Sequence, residues 1–431
     1  MKLAAISIVL GLSIVLLAPA QNSGEAEFAR AMQFIAEGKF PQAEQSLRAL
    51  EKGHPALFEI RYRLGVVLLR QGKFAEASSR LEAASKQSPD SAAAWLAVAQ
   101  VRFKLGQRLS ALEAAARAAN LAGDAPPIWH ALALLHSDAG GFATAVAFEE
   151  RYVQASGANP SELHRLRAQA HRVAGDPAQA ADEFQRAISA APDRWTAYGD
   201  LAGMFLDHRT PEPALVLLDP VSGRFRRMAE YHHLLGLALY QTGNADKAID
   251  SFLAIADLEP NSDLGYASLE TLLADAGARR AEIAARLRGF RGRNPNNPVG
   301  HFLLARLLAL EGAAQPEIEV LLRRAIAVEP KFWPAYYELA QVFETLSKNA
   351  EAVRLLNAAV RLNPEYAAAH FSLSRLYAKL GDRDLAVSHR KRHGELLDRQ
   401  RAATARARAE SPALSYRLGD AESSVAPAKE R

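Results

Sequence analysis

The sequence predicts an all-α chain built as a solenoid of about eleven helix pairs. Three observations carry that prediction. A turn signature returns at a period of 34 residues, a small residue follows it at a constant distance, and prolines close many of the second helices. The clearest copy is Ala229 to Ser262, AEYHHLLGLALYQTGNADKAIDSFLAIADLEPNS. It reads as two short amphipathic helices, broken at Thr242-Gly243-Asn244 and stopped at Pro260.

The turn appears first as Gly38-Lys39-Phe40 and one period later as Gly72-Lys73-Phe74. Leu105-Gly106-Gln107 and Gly140-Gly141-Phe142 follow, and after one inserted residue the phase resumes at Gly175-Asp176-Pro177. Arg209-Thr210-Pro211, Gly243-Asn244-Ala245, Gly277-Ala278-Arg279, Gly312, Ser347 and Gly381 complete the set. Five residues past the turns lie Ala43, Ala77, Ala111, Ala145, Ala180, Ala214, Ala248, Ala352 and Ala386. Prolines close second helices at Pro55, Pro89, Pro192, Pro260, Pro330 and Pro364, where the ring cannot continue a helix. Ser91 and Ser262 stand where a following helix needs an N-cap.

Leu235, Gly236, Leu239, Gly243, Ala248, Phe252 and Pro260 sit at the spacing of a tetratricopeptide repeat. On those residues the chain resembles the tetratricopeptide repeat (TPR) family from about Gly24 to Leu397. Trp95 and Trp129, then Tyr198, Tyr266 and Tyr336, occupy the family's aromatic place early in the first helix. The resemblance implies a right-handed α-α superhelix whose first helices line a deep concave groove. Each pair would touch mainly its neighbours. It also implies that Gly236 and Ala248 mark the close approach of two helices.

Composition sets the outer limits. The 431 residues are 49% hydrophobic and 23% charged, an ordinary globular balance. Lys plus Arg number 52 against 48 Asp plus Glu, so the excess charge of +4 argues against a nucleic-acid binder. The absence of cysteine excludes disulfides, thiolate metal sites and a cysteine nucleophile.

Residues 1–20 stand apart from the repeats. Lys2, an uncharged apolar run from Leu3 to Leu17 and then Ala18-Pro19-Ala20 have the layout of a secretory signal peptide. Cleavage is expected before Gln21, giving an exported protein, periplasmic or extracellular. An uncleaved segment would be its one route to a membrane, although the run is shorter than the ~20 residues of a spanning helix.

The solenoid is expected over residues 21–397, with a weak joint near 290–298. There the eighth repeat has Glu282 in place of the small residue, then Gly289 and Asn294-Pro295-Asn296-Asn297-Pro298. Arg279, Arg280, Arg286, Arg288, Arg291 and Arg293 surround the single acid Glu282, which reads as a solvated face, a hinge or an anionic docking patch. Repeat six is crowded by Pro211, Pro213 and Pro220. Residues 398–431 are expected to be a basic capping helix, reaching about Ala409, and a disordered tail from Ser411.

No catalytic constellation is found: neither a G-x-S-x-G elbow nor an H-E-x-x-H pair occurs. Gly38-Lys39 and Gly72-Lys73 lack the glycine and hydroxyl residue of a phosphate loop. His232 and His233 point about 100° apart on a helix, so they do not suit one metal ion. No enzyme activity, metal or cofactor is expected.

The family's groove positions, carried over residue by residue, give the candidate site. They are Tyr62, Val66, Leu69 and Arg70 in repeat two, and Leu96, Gln100, Phe103 and Lys104 in repeat three. Repeat five adds Arg165, Gln169 and Arg172; repeat seven adds His233, Leu237, Tyr240 and Gln241. Phe302, Arg306, Tyr337, Gln341, Phe371, Arg375 and Lys379 follow. Aromatic, Arg and Gln side chains are the types that anchor peptides. Arg165 with Gln169 falls short of the Lys/Asn carboxylate clamp of chaperone-binding relatives.

The expected function is an exported, non-enzymatic scaffold that binds a protein or peptide segment along the groove. One alternative is an assembly factor in envelope export of an exopolysaccharide or pili, with anionic polysaccharide as a partner. Another is an adaptor for a separate enzyme. Ala248→Leu is expected to destabilise the protein by ~1–3 kcal/mol through overpacking, read as a lowered denaturation midpoint.

Overall fold

Left-handed backbone at one residue per turn is what folds each helix back on its predecessor. The computed structural model describes residues 22–54 and 57–421, and among them there are helices and no strands. Eleven helix pairs succeed one another, from Asn22–Ala36 with Phe40–Gly53 to Ala367–Leu380 with Arg383–Ala421. Every turn expected from the sequence holds a residue of positive φ: nine glycines, then Arg209 and Ser347, each at 58°. In ten of the eleven turns two hydrogen bonds close the helix end. In repeat seven, Gly243 N–H donates to the Tyr240 carbonyl at 3.0 Å and Asn244 N–H to the Leu239 carbonyl at 2.8 Å. This is the Schellman arrangement, and it satisfies carbonyls that a helix end otherwise leaves open.

The small residues lie where the two helices of a pair meet. Ala43, Ala77, Ala111, Ala145, Ala180, Ala214, Ala248 and Ala352 are all fully buried. Gly236 faces the ring of Phe252, which a Cβ there would overlap. Gly265 is tighter still: a Cβ would stand 2.6 Å from the Phe252 carbonyl oxygen and 2.8 Å from the Ala256 nitrogen, both backbone atoms.

A second device ties one repeat to the next. Early in the first helix, a ring donor reaches back six residues to a carbonyl in the preceding connection. Trp95 Nε1 donates to Pro89 O at 2.9 Å, Trp129 Nε1 to Gly123 O at 3.2 Å and Tyr336 Oη to Pro330 O at 3.0 Å. His232, His301 and His370 do the same through Nε2, at 2.8, 3.1 and 3.1 Å. His232 is therefore part of this clasp, while His233 turns to Ser268 Oγ at 3.0 Å.

The helices group into two units, Met1–Ala191 with repeats one to five and Pro192–Arg431 with repeats six to eleven. In the first unit one apolar cluster runs from Ala31 to Leu135, with Ala133, Ala145 and Leu166 forming a smaller one. In the second, one cluster runs from Ala229 to Leu376. Repeat six shows the effect of its prolines: its second helix is only Pro211–Leu218, followed by a 3-10 turn at Asp219–Val221 and a short helix Ser222–Phe225. Phe225 refills the space, its ring 5.2 Å from Trp195 and 5.4 Å from Tyr198.

Repeat eight lacks the Schellman pair. Its first helix shortens to Leu264–Leu269, and its second, Arg280–Arg293, begins one residue later after its turn than in repeat seven. That delay moves the frame, so Ile283 is fully buried and Glu282 lies outside. The Asn294–Pro298 stretch is tied down: Asn297 Nδ2 donates to Asp263 at 3.0 Å and its Oδ1 caps Val299 N–H at 2.9 Å.

The last helix runs from Arg383 to Ala421. It passes Ala409, where the capping helix was expected to end, so residues 411–421 are helical where a disordered tail was expected. Ala413, Leu414, Arg417, Leu418 and Ala421 within that stretch are strong helix formers. The expected signal peptide (1–20), Pro55 and residues 422–431 lie outside the described residues.

That helix docks through histidines. His370 Nδ1 lies 2.9 Å from His389 Nδ1, while His370 Nε2 meets the Pro364 carbonyl. A carbonyl only accepts, so neutral His370 carries its hydrogen on Nε2 and takes the His389 Nδ1–H bond on Nδ1. His393 Nδ1 reaches the Ala367 carbonyl at 3.0 Å, and Tyr377 stacks on His389. Burial holds both His370 and His389 below the usual imidazole value; Arg392 and His393 add to this at His370, and His370 adds to it at His389.

Two outcomes follow from these contacts. Ser347→Gly relieves a left-handed non-glycine residue, and the relief exceeds the added freedom of the unfolded chain. Stabilisation by ~0.5–1 kcal/mol is expected, read as slower amide exchange in Trp333–Leu362. Because the folded values of His370 and His389 lie below the unfolded ones, the docked state is favoured above about pH 6.5 and weakens as pH falls through the depressed values. Amide protection in Arg383–Glu395, corrected for intrinsic exchange, should drop between pH 7 and pH 5, and less so in His389→Gln.

Candidate partner-binding surface

The residues carried over as groove positions all lie on first helices, but the structure gives them unequal roles. In the first unit Tyr62 is half-buried, stacked on Phe58 at 5.7 Å with Arg63 over its ring, and burial pushes its phenol up. Arg70 and Lys104 are exposed, Gln100 and Phe103 half-buried, and Leu96 buried. Arg165 pairs with Glu162 at 2.6 Å on its own helix. Gln169 is buried and accepts from Arg172 Nε at 2.9 Å, so it orders Arg172 instead of facing a partner.

In the second unit the surface is more continuous. His233 is half-buried, and burial lowers its imidazole. Tyr240 is 38% exposed, beside Gln241 at the helix end. Phe302, expected in the groove, is a core residue at 2% exposure; its ring meets Phe332 edge-on at 5.3 Å and supports the Arg306 guanidinium 5.8 Å above it. The guanidinium is the surface part of that pair.

Arg306 is held between two carboxylates, Glu270 at 2.7 Å and Glu338 at 3.2 Å. Burial pushes the Glu338 carboxyl up while Arg306 opposes it. Beside them Tyr337 and Tyr366 meet edge-to-face at 4.9 Å, and Trp333 lies 4.5 Å from Tyr366. Burial, reinforced by Tyr337 and Glu338, pushes the Tyr366 phenol up to about 12. Gln341 donates to Ser372 Oγ at 3.4 Å. Arg375 pairs with Glu344 and lies over Phe371, which is 44% exposed and 5.2 Å from His393. Lys379 reaches Asn349 Oδ1 at 3.4 Å.

These first helices therefore present aromatic rings whose neighbouring guanidiniums are already neutralised by carboxylates. Two buried acceptors on them, Gln241 Oε1 and Glu344 Oε2, have no hydrogen-bond partner among the described residues. Both atoms are covered in the unbound chain, so a donor from another molecule satisfies them only once their side chains turn outward; a buried unpaired acceptor costs about 1–3 kcal/mol.

Sequence reasoning chose apolar, basic and Gln residues and so missed the acids Glu270, Glu338 and Glu344, along with Tyr366. Glu344 was detectable. It occupies in repeat ten the helix position that Tyr240 holds in repeat seven, twelfth from each helix start. Glu338 and Glu270 were not, because only packing shows that they converge on Arg306.

Two tetratricopeptide repeat family models match the chain, one over residues 34–101 and the other over 165–219, 214–263 and 337–389. Together they span about half of it. No curated protein matches the sequence. Among solved structures, the chain is similar to a tetratricopeptide repeat protein from Parabacteroides merdae, with 18% identity, 58% of this chain and 99% of that one covered, and a TM-score of 0.49. It is similar also to yeast Tom70, with 15% identity, 91% and 96% covered, and a TM-score of 0.48. The repeat models agree with the turns, small residues and paired helices described above. This α-α solenoid belongs to the tetratricopeptide repeat family, whose repeats generally serve as protein-interaction scaffolds.

Proposed function

We propose that the protein is an exported, non-catalytic scaffold that holds an extended protein segment on the first helices of repeats seven to eleven. The observation that carries this reading is the occurrence of exposed aromatic side chains, Tyr240 and Phe371, with the unsatisfied acceptors Gln241 Oε1 and Glu344 Oε2 on the first helices of repeats seven, ten and eleven. An extended peptide offers backbone N–H donors and apolar side chains together, the two things such a surface lacks. Arg306 and Arg375 are neutralised internally, which favours a partner chosen by shape and hydrogen bonding over one chosen by charge. The export half of the proposal rests on Lys2, the Leu3–Leu17 run and Ala18-Pro19-Ala20. A mature N-terminus at Gln21, found by mass spectrometry, would support it, and one at Met1 would not.

Photo-crosslinking tests the binding half. A benzophenone side chain at position 240 or 371 of the full chain should capture a common partner in native cells. The same group at Val320, exposed on the second helix of repeat nine, should not. Adducts at all three positions, or at none, would sink the assignment. Tyr240→Ala combined with Phe371→Ala should weaken binding of the captured partner at least tenfold, about 1.4 kcal/mol, with unchanged helicity.

A further inference from the structure

The second helix of repeat eight, Arg280–Arg293, carries five arginines against one acid, Glu282. That excess equals the +4 of the entire chain. The arginines are employed differently. Arg280 donates to the carbonyls of Leu273, at 3.1 Å, and Ala274, closing the irregular turn. Arg286 binds Asp257 at 2.7 Å and approaches Glu282 at 3.6 Å. Arg288, Arg291 and Arg293 have no carboxylate partner among the described residues, and Arg293 donates a hydrogen bond to the Tyr266 hydroxyl.

Arg286, Gly289 and Arg293 follow one another at steps of three and four residues, so they share one side of the helix. Their side lines a cleft of about 660 Å³ against the end of repeat seven, where Asp257 stands, with Tyr266 at its base. The cleft is open because position 289 has no side chain. A Cβ there would meet only the Arg293 guanidinium, 3.5 Å away. The two arginines are ~10 Å apart along the helix axis, room for more than one anionic group. Tyr266 is 3% exposed and packed on Phe290 at 4.8 Å, so no aromatic face is available for a sugar ring to stack on. Asp257, itself exposed, shows that a carboxylate fits the Arg286 guanidinium.

We propose that this cleft is a second binding site, taking the carboxylates of an acidic peptide segment between Arg286 and Arg293. Guanidinium groups hold carboxylates in paired hydrogen bonds and shed water more readily than ammonium groups do. The site is formed largely by the second helices of repeats seven and eight, and is thus separate from the first-helix surface above. An incoming carboxylate adds to Asp257 at Arg286 and engages Arg293, which has no acidic partner of its own. The buried phenol favours a peptide over an acidic sugar polymer.

The test uses the full chain and a fluorescein-labelled peptide, (Glu-Glu-Gly)₄, followed by fluorescence polarisation. Saturable binding at 50 mM NaCl that weakens several-fold at 300 mM is expected. Arg286→Gln with Arg293→Gln should reduce affinity at least tenfold, and Gly289→Leu, which keeps every charge but fills the cleft, should do the same. Arg288→Gln, exposed and outside the cleft, should change it less than threefold. Arg293→Gln alone breaks no ion pair and replaces the double variant if circular dichroism shows lost helicity. Absence of saturable binding, an equal loss in Arg288→Gln, or indifference to Gly289→Leu would overturn the site. Polygalacturonate binding to the cleft without peptide binding would overturn it in favour of a sugar polymer.

Discussion

One left-handed residue per turn is the constraint on which the rest of this protein depends. It lets two hydrogen bonds close the first helix and sends the chain back alongside it, and in most repeats it is glycine. Where the second helix starts two residues past that turn residue, the residue five places on arrives at the crossing, and a small side chain fits there. The alanines there are fully buried for that reason. Repeats eight and nine depart from that spacing: each second helix starts one residue later, so Ile283 and Ile318 take the buried place, although repeat nine keeps both closing bonds. In repeat eight a glycine and two arginines then line an open cleft.

The connections between repeats obey a different rule. A ring N–H or O–H near the start of a first helix reaches a carbonyl six residues earlier, and Trp, Tyr and His all serve. What matters is a flat side chain with a donor at the far end, which explains how histidine replaces an aromatic residue at His232, His301 and His370. With the crossing and the connection both assigned to particular positions, the rest of the first helix is left to vary. In the second unit that freedom is used for aromatic rings, with arginines and carboxylates paired among themselves. On the proposed reading, hydrogen bonding and shape are the means by which that first-helix surface selects a partner.

The all-helical class, the eleven pairs, the turn residues and the buried alanines were legible in the sequence, because each is set by local chemistry repeated at one spacing. A left-handed turn favours glycine, a helix end tolerates proline just beyond it, and a close crossing favours alanine. These preferences act locally and show in most of the repeats. The register of repeat eight was not legible, since the start of its second helix is chosen by an irregular turn whose hydrogen bonds come from Arg280. Nor was the full character of the candidate surface. Phe302 and Tyr337 occupy the same place in their helices and each meets a ring of the next connection edge-on, yet Phe302 is core and Tyr337 is half-buried. Glu270, Arg306 and Glu338 lie 36 and 32 residues apart in sequence and meet only when first helices stack. The sequence by itself determined where each helix turns and which residues must be small. Tertiary structure alone decided which side chains converge and which charges are already spent, since those depend on distances between neighbouring repeats that no single repeat contains.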